Sequence, residues 1–197
     1  MNRVPQAARR LFFALWPDDA TREAVAHATR KAVRASGGRP VARANLHITL
    51  AFLGSVAEDR LPDVLAAGSG LEAAPFELLF DRVAHWARPQ VLVALTPEPV
   101  AAATRLVAQL WSRLAPLGIP PDLRPYQPHV TLARKVRRPA AELHMRPARW
   151  PVADLALVES VTSAAGARYA VLRRWPLDRL AAGSPPDPPA PADSPQR

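Results

Sequence analysis

The chain contains no cysteine. That absence excludes disulfides, thiolate zinc sites, iron–sulfur clusters and cysteine nucleophiles, and leaves any chemistry to His, carboxylates, hydroxyls and Arg. Long apolar runs are missing too. The segment after Arg9 and Arg10, Leu11 to Trp16, is six residues, too short for the hydrophobic region of a secretory signal, and nothing reaches the length of a membrane span. A cytoplasmic protein with no membrane partner is expected. There is no H-E-x-x-H, no Asp-rich cluster and no G-x-S-x-G, which argues against zinc, two-metal and triad hydrolases. No metal and no cofactor are expected. Gly68-Ser69-Gly70 lacks the Lys-Ser/Thr ending and the preceding strand of a phosphate-binding loop.

Lysine is nearly absent as well. Of 26 basic residues only Lys31 and Lys135 are lysines and the rest are arginine, against 17 acidic residues, a net charge of +9. Guanidinium presents a planar fork suited to phosphate, which favours a polyanionic partner. An Ala/Arg/Pro-rich composition fits a genome biased toward those codons equally well. With 197 residues, 49% hydrophobic and 22% charged, the chain is long enough for one large domain or two lobes sharing a core. Composition shifts after Leu180: the last 17 residues hold 6 of the 23 Pro and no large apolar side chain. A single domain over 1–180 and a disordered Pro-rich tail over 181–197 are expected.

Periodicity and punctuation give an alternation of strands and helices. Strands are expected at Leu11 to Trp16, Leu46 to Leu53, Phe76 to Val83 and Val91 to Leu95, then at His129 to Val136, Val152 to Thr162 and Arg168 to Trp175. Arg/Pro-rich loops join the last three. A first helix, capped by Asp18, runs to Ala35, and a second covers Glu58 to Leu71. A third is expected to be capped by Thr96 with Pro97 at its first position, burying Val100, Ala103, Val107, Leu110, Leu114 and Leu117. Several neighbouring strands are joined by turns too short for a parallel crossover, so the fold class is α+β with largely antiparallel sheets in two similar halves.

Two of the strands carry nearly the same word: His47-Ile48-Thr49-Leu50-Ala51 and His129-Val130-Thr131-Leu132-Ala133. Strand side chains alternate, so His47 and Thr49 share one face and Ile48, Leu50 and Phe52 the other, and likewise His129 and Thr131 against Val130 and Leu132. Imidazole and hydroxyl then lie about 6.5 Å apart along the backbone, within reach of one small anion. A single such word would be read as a satisfied histidine beside a β-forming threonine. Its repetition at two of only five histidines reverses that reading. His27, His85 and His144 are expected to be structural or solvent-exposed, and Phe13, Phe52 and Trp86 to be core. Strict alternation from Thr131 puts Arg134 opposite His129 unless the strand bulges. The cluster Arg134, Lys135, Arg137, Arg138, Arg146 and Arg149 is either a solvated loop or a track for an RNA backbone.

Paired H-x-T words on separate strands are the signature of the 2H phosphoesterase superfamily, and the surroundings resemble its LigT-like (ThpR) bacterial RNA 2′,3′-cyclic phosphodiesterases. The matching stretches are Arg10-Leu-Phe-Phe-Ala-Leu15, Asn45-Leu-His-Ile-Thr-Leu-Ala-Phe-Leu-Gly54, Pro128-His-Val-Thr-Leu-Ala-Arg134 and Tyr169-Ala-Val-Leu-Arg-Arg-Trp-Pro-Leu177. The resemblance implies two pseudo-symmetric lobes, each an antiparallel sheet with helices on its outer face, and H-x-T strands lining a central cleft. It implies metal-independent opening of RNA 2′,3′-cyclic phosphate ends to 2′-phosphomonoesters, with His47 as proton donor to the leaving O3′ and His129 as the base that activates water. Thr49, Thr131 and Arg134 are the expected phosphate-binding residues. The expected partner is RNA with a cyclic phosphate end, tRNA halves included, and the expected state is a monomer. Reversible 2′-5′ RNA ligation at the same site and a non-catalytic RNA-binding module are the competing readings.

Overall fold

The computed structural model describes residues 7–138, 142–163 and 166–177. The expected tail, 181–197, lies outside them. Nine strands form two antiparallel sheets among the described residues: a four-stranded sheet in the order β3-β1-β8-β9 and a five-stranded sheet in the order β2-β6-β5-β4-β7. The first uses β1 (Ala8–Leu15), β3 (Ile48–Ala57), β8 (Asp154–Ser163) and β9 (Gly166–Pro176). The second uses β2 (Arg39–Pro40), β4 (Phe76–Trp86), β5 (Val91–Leu95), β6 (His129–Arg134) and β7 (Leu143–Val152). The α+β class and the two antiparallel sheets agree with the sequence reading. The sheets are not the two halves of the chain, however, because the four-stranded one is built from both ends.

Helices are exchanged between the lobes. α1 (Asp19–Ala35) follows β1 in sequence yet packs on β7 and β6 of the other sheet, while α2 (Leu61–Ala67) and α3 (Ala101–Leu114) pack together, α3 against β3. α1 starts where expected: the Asp18 side chain accepts from the Thr21 amide at 2.7 Å and satisfies one of the free donors of the first turn. One continuous core results. It joins Leu11, Phe13 and Leu15 of β1 to Leu78 and Phe80 of β4, Leu92 of β5, Trp150 of β7 and Leu106 and Leu110 of α3. The opposite faces of the sheets hold two smaller clusters, Phe12, Ala14, Ala156 and Val158 in one sheet and Val91, Val93 and Leu95 in the other.

Three elements depart from expectation. The second helix shortens to a 3-10 turn at Glu58–Arg60 followed by α2, and ends at Gly68. A Cβ at Gly68 would lie 2.8 Å from the Trp175 ring, so a residue without a side chain is required there. Helix α3 begins at Ala101 rather than after Thr96. Pro99 disfavours helical backbone at Glu98, and the Thr96 hydroxyl instead donates to the Glu98 carbonyl at 2.9 Å. Finally, the Arg/Pro-rich stretch read as loop contains strand β7, with His144, Arg146, Pro147, Arg149 and Pro151 in it. Among the described residues it is an edge strand, where proline and charge are tolerated because one side of the backbone is not paired with a described strand.

Candidate active site

The two repeated words adopt the same irregular geometry. In the pairing of β1 with β3, Thr49 lies opposite Ala14 and Ala51 opposite Phe13, leaving Leu50 without a partner. In the pairing of β5 with β6, Thr131 lies opposite Val93 and Ala133 opposite Leu92, leaving Leu132 without one. Each word therefore carries a bulge at its leucine, and both leucines are buried. A bulge adds one residue to the count, so the side chain three positions after each threonine, rather than two, returns to the threonine's face. Directly opposed residues share a face, so Arg134, opposite Val91, lies on the same face as Thr131 opposite Val93 and His129 opposite Leu95. The same shift turns Phe52, opposite Phe12, onto the face of Thr49. Strict alternation assigned Phe52 to the buried side. It is in fact 48% exposed, and it is the counterpart of Arg134 in the first word.

Thr49, His129, Thr131, Arg134 and Phe52 line one cavity of about 760 Å³. Trp86, Arg124 and Tyr126 line it as well. Trp86, expected in the core, is half-buried, its ring 4.5 Å from the His129 ring; Phe13 is buried as expected. His47 is not among the cavity-lining residues. It sits in a cage of rings, stacked on Trp16 at 5.6 Å and flanked by Phe12 at 4.9 Å and Tyr169 at 5.2 Å. The two strands nevertheless pass close to each other, β3 against β6. The segment before β6 ties them together, since the Tyr126 hydroxyl donates to the Thr49 carbonyl at 3.3 Å.

Both imidazoles are held in the same way. Nδ1 of His47 is 2.7 Å from the Asn45 carbonyl and Nδ1 of His129 is 2.9 Å from the Gln127 carbonyl. A carbonyl can only accept, so Nδ1 carries hydrogen in both rings and Nε2 is the nitrogen left to exchange a proton. Asn45 is itself anchored, its side-chain amide donating to the Ala167 carbonyl of β9 at 2.9 Å. Burial among the rings pushes the His47 pKa down to about 4, the Asn45 hydrogen bond opposes this, and the nearby Arg134 and His129 add to the lowering. Burial likewise holds His129 below its usual range, with Arg124 adding to the effect. Burial raises the Tyr126 phenol, so this hydroxyl stays protonated as a donor. At the rim, hydrogen bonds from Arg124 hold the Asp122 carboxyl down to about 2. The cavity brings one imidazole, two hydroxyls and a guanidinium together, and the caged His47 is close enough to Arg134 and His129 for their charges to act on it. Among the described residues no group of three or more His, Asp or Glu gathers in a way that could hold a metal ion.

The remaining candidates fall elsewhere. His27 is exposed on α1, and His144 is exposed on β7. His85 is half-buried on β4, paired with Leu92 and so on the face away from the cavity. Arg146 and Arg149 lie on β7, at the edge opposite β2 and β6, and Arg149 pairs with Glu77 at 2.5 Å. The six-residue basic cluster is thus divided between two edges of one sheet. Sequence reasoning missed Phe52, Trp86, Tyr126 and Arg124 as cavity residues. The bulge hid the first, and the other three carry no motif of their own.

Comparison with known proteins agrees with this geometry. The model of the 2′-5′ RNA ligase superfamily matches residues 17–164. The RNA 2′,3′-cyclic phosphodiesterase of Escherichia coli (strain K12) is 31% identical over 171 residues, covering 86% of this chain and 97% of the relative. The enzyme of the same name from Thermus thermophilus is 34% identical over 179 residues, covering 85% and 90%. The crystal structure of E. coli LigT complexed with 3′-AMP superposes with a TM-score of 0.79 at 30% identity, covering 87% of this chain and 99% of that one.

Proposed function

The chain belongs to the 2′-5′ RNA ligase superfamily, and on that premise we propose that it hydrolyses the 2′,3′-cyclic phosphodiester at RNA ends. The observation that supports the reading is the duplicated bulged word, which leaves the same nitrogen free on two histidines and puts Thr49, Thr131 and Arg134 on the cavity wall. In-line opening of the ring needs a group to accept a proton from water and another to give one to the departing ribose oxygen. His129, neutral with Nε2 free, takes the proton as the water oxygen bonds to phosphorus. The bond from phosphorus to O3′ breaks, and His47 in its protonated form supplies the proton to O3′. A 2′-phosphomonoester remains. Thr49, Thr131 and Arg134 hold the nonbridging oxygens, where negative charge grows as the fifth bond forms. Phe52 offers an exposed ring beside them on which the terminal base can stack, with the Arg10 guanidinium 4.7 Å over the ring.

The low affinity of His47 for a proton in the free protein suits this scheme. An arriving phosphate monoanion replaces water with negative charge, offsets Arg134, and raises the His47 pKa toward the value an acid needs. The substrate thereby charges its own proton donor. RNA with a cyclic phosphate end is the substrate class, tRNA halves being one member, and the cytoplasm is where this reading places a monomeric enzyme. If the 5′-OH of a second RNA replaces water, its oxygen bonds to phosphorus as the bond to O3′ breaks, and the same acid and base join two RNA ends by a 2′-5′ linkage; the superfamily's name favours testing this as a second reaction. Incubating the protein with a 2′,3′-cyclic nucleotide, with and without excess EDTA, tests the main reading. Turnover to the 2′-phosphate that survives chelation is expected. No turnover, or activity restored only by Mg²⁺ or Mn²⁺, overturns it.

A further inference from the structure

Three segments of the sequence carry no acidic residue at all: 24–57, 82–97 and 123–141. The structure brings their described residues together at one end of the five-stranded sheet. The amides of Arg137 and Arg138 both donate to the carbonyl of Ser36, at 3.2 and 3.0 Å, and the amide of Val136 donates to the carbonyl of Gln90 at 3.0 Å. Ser36 and Val136 are buried, whereas Lys135, Arg137 and Arg138 are exposed. The backbone there is fixed and the cationic side chains project from it. Lys135 is held at φ 53, a left-handed conformation that a lysine rarely takes. The patch is continuous with the cavity, since Arg134 lines the cavity and Arg138 is four residues further on, within about 14 Å of chain.

Resting on the cyclic phosphodiesterase reading, we infer that Lys135, Arg137 and Arg138 form a track for the phosphodiester backbone of the RNA strand whose cyclic end occupies the cavity. An RNA strand leaving the cavity carries one negative charge per nucleotide, and it leaves past Arg134 onto a surface formed where acid-free segments meet. The substrate class is accordingly an RNA strand several nucleotides long, and a free cyclic mononucleotide uses only part of the site. Charge here acts on binding of the strand and leaves the chemical step to the two histidines.

The test compares two substrates on the full chain, a 2′,3′-cyclic mononucleotide and an RNA of about ten nucleotides ending in a 2′,3′-cyclic phosphate. The variant is Lys135→Asn with Arg137→Gln and Arg138→Gln, asparagine being chosen because it tolerates a left-handed backbone. For the RNA, kcat/KM falls by about 10- to 100-fold at low salt, and its log–log salt dependence becomes shallower by about 2, at about 0.7 for each phosphate no longer neutralised. Turnover of the mononucleotide and the melting temperature stay at wild-type values, and Arg146→Gln, at the far edge of the sheet, changes neither substrate. Unchanged RNA turnover and salt slope, or a parallel fall on the mononucleotide in a folded variant, overturns the track. If the wild type turns over neither substrate, the catalytic reading fails instead; fluorescence anisotropy of the same RNA then decides the track, weaker binding by the variant supporting it and equal binding overturning it.

Discussion

At the scale of single residues, the proposed mechanism has the two histidines move protons and the two threonines hold charge. Thr49→Val and Thr131→Val keep the β-branched shape and remove only a donor, so each lowers kcat by roughly 10- to 1,000-fold and leaves the melting temperature near wild type. Wild-type rates for both would assign the hydroxyls to the sheet alone. The histidines set the pH profile. Because both lie below the usual imidazole range in the free protein, His47 at about 4, the form with one protonated and one neutral ring is most populated on the acid side of pH 6.5. The bell in kcat/KM reports the free enzyme and is expected to peak there, its limbs belonging to the coupled pair. The bell in kcat, which reports the complex, moves to higher pH because the bound phosphate favours the charged rings. A kcat/KM maximum at or above pH 7 would show that the rings are not depressed together.

At the scale of elements, the paired bulges decide which side chains the cavity receives. Arg134 reaches it only because Leu132 is left out of the ladder, and from there it works against protonation of His47. Arg134→Gln therefore has two separable effects. It lowers kcat/KM for the cyclic nucleotide, and it raises the His47 pKa, as read by NMR titration of the ring; an unmoved titration would place Arg134 outside electrostatic reach of that histidine. Much of the element layout was legible in the sequence. Asp18 as a cap, the 76–95 hairpin and both H-x-T strands follow from local signals, namely a side chain able to bond its own helix, a turn flanked by apolar runs, and a repeated word. The bulges were not, because a period of two assumes an unbroken ladder and nothing in Leu-Ala distinguishes a paired leucine from an unpaired one. Strand β7 was hidden for a different reason: its prolines and arginines read as loop, and only its place at the edge of the sheet makes them acceptable.

At the scale of the whole molecule, a single core serves both sheets, so the lobes stand or fall together. We propose that this unit ends by Leu180 and that the Pro-rich segment after it adds nothing to stability. Truncation after Leu180 is expected to leave the melting temperature and nucleotide turnover unchanged, and a clear loss of either would move the boundary outward. The exchange of segments between sheets also governs the order in which the molecule is completed during synthesis. Strand β1, whose Phe12 packs against the first histidine, pairs with β3 on one side and waits for β8 on the other. The cage around His47 includes Tyr169, in the last of the described strands to leave the ribosome. A nascent chain ending before Asp154 holds both H-x-T words and every strand of the five-stranded sheet, yet it lacks the wall that sets the first imidazole in place. On the proposed mechanism, incomplete products are expected to be silent toward RNA ends, with activity arriving only once the β8–β9 hairpin is made.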